Sequence, residues 1–412
     1  MANAAFSILG MACLMGLAFL LSDNRKAINW RTVGGAFAIQ AGLGAFVLYT
    51  SFGQDVLAGM SAGVQSVINY AGEGVKFLLG GLGTPAGSAG FVFAFHVLPI
   101  IVFFSAFIAV LYYLGIMQFV VKILGGALQK VLGTSRAESL SATANVFVGQ
   151  TEAPLVVKPF IARMSQSELF AIMVGGLASV AGSVLAGYAG LGVDLQYLIA
   201  ASFMAAPGGL LMAKIIKPET EETTDSKAEE LAADAEEGKP ANILDAAAQG
   251  ASSGLGLAAN VGAMLLAFVA LIALVNGVLG GIGGWFGMDN LSLQMILGYV
   301  FAPLAFILGI PSGEILQAGS LIGQKLVMNE FIAYIDFVQI KETLSPHTQA
   351  VITFALCGFA NLSSIAILLG GLGSMAPSRR GDIARMGVKA VLAGSLANLM
   401  SASIAGLFLA MA

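Results

Sequence analysis

Gly149-Gln150-Thr151-Glu152-Ala153-Pro154 stands between two apolar runs, Asn145-Val146-Phe147-Val148 and Leu155-Val156-Val157. An amide, a hydroxyl and a carboxylate sit together where their neighbours argue for lipid depth. The Gly before them and the Pro after them break any continuous helix. Ionisable residues at such depth are costly, and by default they mark a substrate or ion path.

The bulk numbers place that stretch in a membrane. Of 412 residues, 58% are hydrophobic and 10% charged, and mean hydropathy is +0.88. A soluble domain carries roughly 25% charged residues. The apolar segments are runs of about 18–25 residues, long enough to span as helices and unlike the short alternating strands of a barrel. The 53 Gly fit close helix packing and broken helices in a bilayer. Cys13 and Cys357 lie in distant apolar segments and read as reduced packing residues. His96 and His347 are too few for a histidine metal site. The first apolar run, Phe6–Leu21, lacks a basic leader and reads as a retained helix.

Eight spanning helices are expected, at about 5–22, 33–50, 91–117, 169–187, 195–213, 251–278, 348–370 and 388–410. Residues 52–90 read as an interfacial segment, 217–243 as a solvated acidic loop, and 277–287 with Trp285 as an interfacial turn. The apolar stretch 291–309 contains Pro303 and reads as a short span or interfacial helix. Sixteen of the nineteen Lys and Arg fall on one side of this topology, among them Lys122, Lys130 and Arg136 in a basic stretch read as the loop after the third helix, leaving Lys76, Lys325 and Lys341 on the other. Positive charge collects in the cytoplasm, so both termini are expected outside. The count also requires the two polar-broken stretches, one ending near Glu152 and one near Glu330, to enter and leave on one side. They read as re-entrant helical hairpins.

The two halves of the chain echo each other. Gly133-Thr134-Ser135-Arg136-Ala137-Glu138 precedes Glu152, and Pro311-Ser312-Gly313-Glu314 precedes Glu330. Each hairpin leads into a broken helix, through Ser179-Val180-Ala181-Gly182-Ser183 in one half and Cys357-Gly358-Phe359-Ala360-Asn361-Leu362-Ser363-Ser364 in the other. Paired broken segments in an inverted repeat point to a transporter's midplane site. Glu152 and Glu330 could exchange protons, act as an enzyme's acid and base, or accept hydrogen bonds from a hydroxylated ligand; the plainer alternative is that each caps a helix start. Asn145 and Ser179 either bond across helices or, with carbonyls freed at the break, hold a sodium ion. Phe359 reads as packing or as ligand contact. Gly370-Gly371-Leu372-Gly373 lacks the Lys-Ser/Thr of a phosphate loop and reads as a turn.

The Gly149–Leu155 stretch, Asn329-Glu330-Phe331 and Cys357–Ser364 resemble the signature segments of the concentrative nucleoside transporters. The resemblance runs from about residue 5 to the C-terminus, apart from the acidic loop. It implies a symporter, not an enzyme, importing nucleosides such as uridine with sodium across a bacterial inner membrane. It implies no nucleic-acid partner. It also implies a homotrimer, with scaffold elements at about 91–132 and 251–309 and a moving transport unit at about 1–51, 133–213 and 310–412. By matched positions, Gln150, Thr151 and Glu152 would contact the base, and Glu330, Asn361 and Ser364 the ribose hydroxyls. Val184, Leu257 and Phe359 would lie beside the ligand. Asn145 and Ser179, with the carbonyls of Val148 and Val180, would hold sodium. The segment Pro311–Glu314 resembles a bacterial subset that includes proton-coupled members, so a proton-coupled symporter stands as the alternative. A passive channel and an intramembrane enzyme are further rivals; neither a nucleophile–base pair nor a metal set supports the enzyme.

Overall fold

The computed structural model describes residues 2–83, 90–224, 240–288 and 290–411, and among these all regular structure is helical. The first half runs α1 (Ala2–Leu20), α2 (Trp30–Tyr49), α3 (Ser51–Leu79), α4 (Phe93–His96), α5 (Leu98–Tyr113), α6 (Ile116–Leu132), α7 (Arg136–Ala144) and α8 (Lys158–Ile161). Then come α9 (Gln166–Ala178), α10 (Gly182–Gly190), α11 (Leu195–Ile216) and the long α12 (Ile243–Trp285). The rest comprises α13 (Leu293–Ile307), α14 (Ile315–Val327), α15 (Glu330–Ile340), α16 (Pro346–Leu356), α17 (Ser364–Met375) and α18 (Arg380–Leu409).

Local sequence explains where the site-bearing helices begin. Ser135 and Ser165 each head a capping box, with Glu138 and Glu168 returning to the cap backbone, and so start α7 and α9. Asn329 caps α15 by accepting from the Ile332 N–H at 3.0 Å. Pro154 and Pro159 prevent a regular second arm in the first hairpin. It descends as a 3-10 segment, Ala153–Val157, and then the four-residue α8. The second hairpin, α14–α15, has two full arms. The helix breaks expected at Ser179 and at Cys357–Ser363 separate α9 from α10 and α16 from α17.

Six helical segments, among the described residues, are long and apolar enough to span a bilayer. Burial sorts them. In the most apolar windows of 166–190 and 195–216, 94% of residues are buried, and 83% in that of 377–409. In α12 only 11% are. The centre of the molecule is therefore α9, α11, α16 and α18 packed on one another, while α5 and α12 form an apolar outer wall. Those two approach closely because Gly254 leaves room: a Cβ there would lie 2.6 Å from Ser105 Cβ. The C-terminal ends of α1 and α11 meet α18 at Asp23, which bonds Lys217 at 3.0 Å and also Lys389. Partial burial pushes the Asp23 carboxyl up, but the two ammonium groups outweigh it and hold the carboxyl below its ordinary value.

Five expectations change. The basic stretch after residue 117 is the amphipathic helix α6, not a loop, because its three-to-four-residue apolar spacing buries Met117, Val121, Gly125, Leu128 and Leu132. The segment 52–90 begins as a single 29-residue helix, α3; residues 84–89 lie outside the described residues. The turn expected over 277–287 begins only at Phe286, since Gly in a span is tolerated without a break, and exposed Trp285 ends α12. The acidic segment lies outside the described residues from 225 to 239, and its start is docked: Thr224 donates its hydroxyl to Glu168 at 2.7 Å. Lys325, counted as an outer-side charge, is buried inside the protein instead.

Candidate functional site

The broken stretches converge. The first hairpin tip lies on the α9–α10 break, where the Gly182 N–H donates to the Phe147 carbonyl at 3.0 Å. A Cβ on Gly182 would sit 2.8 Å from that oxygen, so only Gly permits the contact. The second hairpin tip lies beside the α16–α17 break, where the Leu362 N–H donates to Leu326 at 3.3 Å. The two breaks also touch each other, the Phe359 N–H donating to the Ser179 carbonyl at 3.1 Å. Extended backbone, free of helix bonds, thus crosses the middle of the bundle from both halves.

One cavity opens between these elements and α12. All nine residues expected to meet substrate line it: Gln150, Thr151, Glu152, Val184, Leu257, Glu330, Phe359, Asn361 and Ser364. Asn329 and Ser363, polar neighbours in the same motifs, also line it. The cavity holds about 690 Å³ of space between atoms, part of it open to the exterior. Polar groups occupy the hairpin and break side, and α12 supplies an apolar wall.

The second-half polar groups form a chain. The Tyr188 hydroxyl donates to Glu330 Oε1 at 2.9 Å, and Asn361 Nδ2 donates to Oε2 at 3.2 Å. Asn361 Oδ1 accepts from the Ser363 hydroxyl at 2.7 Å and the Ser364 N–H at 2.9 Å. Glu330 begins α15, where the helix N-terminus favours a carboxylate. In the first half, Gln150 is buried and its Oε1 has no partner. An unsatisfied buried acceptor costs about 1–3 kcal/mol, so a ligand donor at Gln150 would recover that loss.

The four residues expected to hold sodium lie where the C-termini of α7 and α9 meet. Asn145 follows α7 and Ser179 follows α9. Asn145 Nδ2 donates to Ser141 at 3.0 Å, which leaves Oδ1 buried with no partner. Among the described backbone, no N–H reaches the carbonyls of Val148 or Val180. Ser179 donates to the Gly175 carbonyl at 2.9 Å and keeps its own oxygen as an acceptor. Several uncommitted neutral oxygens at two helix C-termini fit a hard cation. No group of three His, Cys, Asp or Glu suited to a metal occurs among the described residues.

Glu314, from the segment that left the coupling ion open, does not line the cavity. Its carboxylate accepts from the Ser345 N–H at 3.0 Å and hydroxyl at 2.9 Å, tying the start of α14 to the start of α16. Tyr188, Val261, Met264, Leu265 and Ile367 escaped sequence reasoning. Tyr188 lies one turn beyond Val184, and Val261, Met264 and Leu265 follow Leu257 at intervals of four, seven and eight, so helical spacing could have found them.

Models of known families match nearly the whole chain. The C-terminal model, described as "Na+ dependent nucleoside transporter C-terminus", covers residues 197–406. The corresponding N-terminal model covers 9–82, and one described as "Nucleoside recognition" covers 94–194. A transporter of Haemophilus influenzae is 61% identical over 98% of this chain and 97% of its own. The nucleoside permease NupC of Helicobacter pylori is 54% identical, over 99% and 98%. The structure of CNTnw in an inward-facing, substrate-bound state is 60% identical, covers 100% of this chain and 99% of its own, and superposes with a TM-score of 0.95. CNTnw variants have also been solved in outward-facing and intermediate states. The chain therefore belongs to the family of sodium-dependent nucleoside transporters.

Proposed function

We propose that this protein imports nucleosides such as uridine together with sodium, by alternating access. The observation that carries the reading is the single cavity in which the polar tips of two hairpins, one from each half, face each other across the breaks of α9–α10 and α16–α17. A nucleoside is neutral, with a flat polar base and a diol. Gln150, Thr151 and Glu152 take the base, and Glu330, Asn361 and Ser364 take the ribose hydroxyls. Val184 and Phe359 pack beside the ligand, with Leu257 on the α12 wall. A site whose own buried groups pair with hydroxyls rejects analogues lacking them.

Sodium binds Asn145 Oδ1, the Ser179 hydroxyl and the carbonyls of Val148 and Val180. It joins the first tip to the α9–α10 break and so orders Gln150–Glu152, two to seven positions further along. Ordering by one ligand that helps the other is reciprocal coupling, typically about 1–3 kcal/mol. In the proton alternative Glu152 or Glu330 would titrate; among the described residues, the unpartnered Asn145 Oδ1 beside the free Val148 and Val180 carbonyls favours sodium.

In the membrane we place eight spanning helices and two re-entrant hairpins, both termini outside, in a bacterial inner membrane. The exposed apolar faces of α5 and α12 support a trimer built through the scaffold, 91–132 and 251–309. The mutually packed α9, α11, α16 and α18 support a moving unit formed by 1–51, 133–213 and 310–412. That division of the chain, together with the CNTnw states, supports an elevator movement. The test is uridine binding to the purified protein at fixed pH. Replacing sodium with choline is expected to weaken it at least about tenfold; unchanged affinity would refute the coupling.

A further inference from the structure

Lys325 is a buried cation that the proposed transport cycle does not use. It lies in the last turn of α14 with only 3% of its surface exposed. Its ammonium donates to two neutral oxygens, the Ala355 carbonyl at 2.9 Å and Asn398 Oδ1 at 2.6 Å. A buried charge whose hydrogen-bond partners are neutral is expensive, and here its countercharge, the Glu330 carboxylate, acts on it through space without a hydrogen bond, so its position calls for a physical reason.

Its surroundings are helix C-termini. Ala355 is the penultimate residue of α16. Asn398, on α18, turns its amide nitrogen to the Ala178 carbonyl at 2.6 Å and the Cys357 carbonyl at 2.9 Å. Asn398 thus bridges the ends of α9 and α16, and Lys325 stands on the bridge. Gly358 is required there, because a Cβ would fall 2.6 Å from Asn398 Nδ2. The ammonium, carried by the last turn of α14, thus meets the negative end of α16 directly and the end of α9 through Asn398.

The inverted repeat gives this place a counterpart. In the first half, the C-termini of α7 and α9 meet around Asn145 and Ser179, with Asn145 Oδ1 unpartnered. In the second half, the C-termini of α14 and α16 meet around Lys325. There, among the described residues, no buried side-chain oxygen from 353 to 364 lacks a partner, whereas Gln324 Oε1, beside Lys325 in sequence, does. One half leaves oxygens open for a cation; the other has a cation already attached to the chain.

We propose that the Lys325 ammonium is the resident cation of the second helix break, the repeat-related counterpart of sodium at the first, and that it sets coupling at one sodium per nucleoside. This rests on the sodium reading above. Removing the ammonium exposes the Ala355 carbonyl and Asn398 Oδ1, and a glutamine in its place adds a third oxygen, so a second sodium can enter.

The experiment is uridine binding to purified protein against sodium, with choline holding ionic strength constant. The wild type is expected to show a Hill coefficient of about 1, Lys325→Arg about 1, and Lys325→Gln about 2 with half-saturating sodium raised at least about tenfold. If Lys325→Gln keeps a coefficient near 1 and the wild-type half-saturating sodium while losing affinity or thermal stability, Lys325 is merely structural and the proposal falls. If the wild type itself shows no sodium dependence, the sodium reading fails first, which is a distinguishable result. Should Lys325→Gln not fold, the charge moved per uridine by wild-type proteoliposomes decides. One charge supports the proposal, and two overturn it.

Discussion

Glu330→Gln is the substitution with the most specific consequence. The carboxylate accepts from Tyr188 at 2.9 Å and from Asn361 at 3.2 Å, and it lines the cavity beside Ser364. Glutamine keeps one oxygen acceptor and removes the charge. A hydrogen bond to a charged group contributes about 1.5–3 kcal/mol. Loss of one such bond to a ribose hydroxyl corresponds to a dissociation constant about 10- to 150-fold higher. The penalty should be confined to ligands that carry the hydroxyl. Calorimetric titration at saturating sodium, with uridine and its 2′-deoxy and 3′-deoxy analogues, measures this directly. For one of the deoxy analogues the penalty is expected to shrink to about threefold or less, giving a double-mutant-type cycle in which ligand and residue report the same contact. An equal loss for all three ligands would show that Glu330 acts through Tyr188 and Asn361 as scaffolding. Wild-type affinity for uridine would refute the ribose placement outright.

Other changes test other parts of the account. Asn145→Ala removes the unpartnered oxygen of the proposed sodium site and should raise half-saturating sodium about tenfold, with near-normal maximal uridine binding; a proportional loss at every sodium concentration would mark Asn145 as structural. Gly254→Val forces a side chain into Ser105 and Val102 where α12 crosses α5, and should cost about 1–3 kcal/mol of stability, read as a lowered thermal midpoint. Asp23 has a depressed carboxyl, so its contribution to stability is complete above the ordinary carboxylate range and is lost as pH falls through its lowered folded value. Asp23→Asn should therefore flatten the acid side of the thermal-midpoint profile and leave the slope between pH 6 and 8 unchanged, as about 3.9 is the unfolded value.

The sequence shows the site more clearly than the membrane-facing parts of the fold, and the reason is contrast. Gln150–Glu152, Glu330 and Asn361 are polar groups in apolar surroundings, so each is visible against its neighbours, and the Gly and Pro beside them mark the interruptions. Val261, Met264 and Leu265 belong to a helix apolar on every side. In such a helix the wall of a cavity and the face toward lipid carry the same residues, so helical spacing marks the wall only once one residue on it, Leu257, has been placed. Tyr188 is hidden for a similar reason, its hydroxyl being one polar atom on an otherwise apolar ring. The helix α6 was obscured by Lys122 and Lys130, which read as loop charges but lie along one side of an amphipathic helix. Lys325 misled in the opposite sense. A lysine between apolar runs counts as a topological marker, and only the structure shows the Ala355 carbonyl and Asn398 Oδ1 that receive its ammonium inside the protein.

The central claim is that a sodium gradient drives nucleosides through the cavity between the two hairpins. The most direct test is uptake of radiolabelled uridine by proteoliposomes at symmetric pH with sodium outside only, compared with an imposed pH gradient without sodium. Accumulation above equilibrium with sodium, and none with the pH gradient alone, is the predicted result. Accumulation driven by the pH gradient, or mere equilibration under either condition, would contradict it.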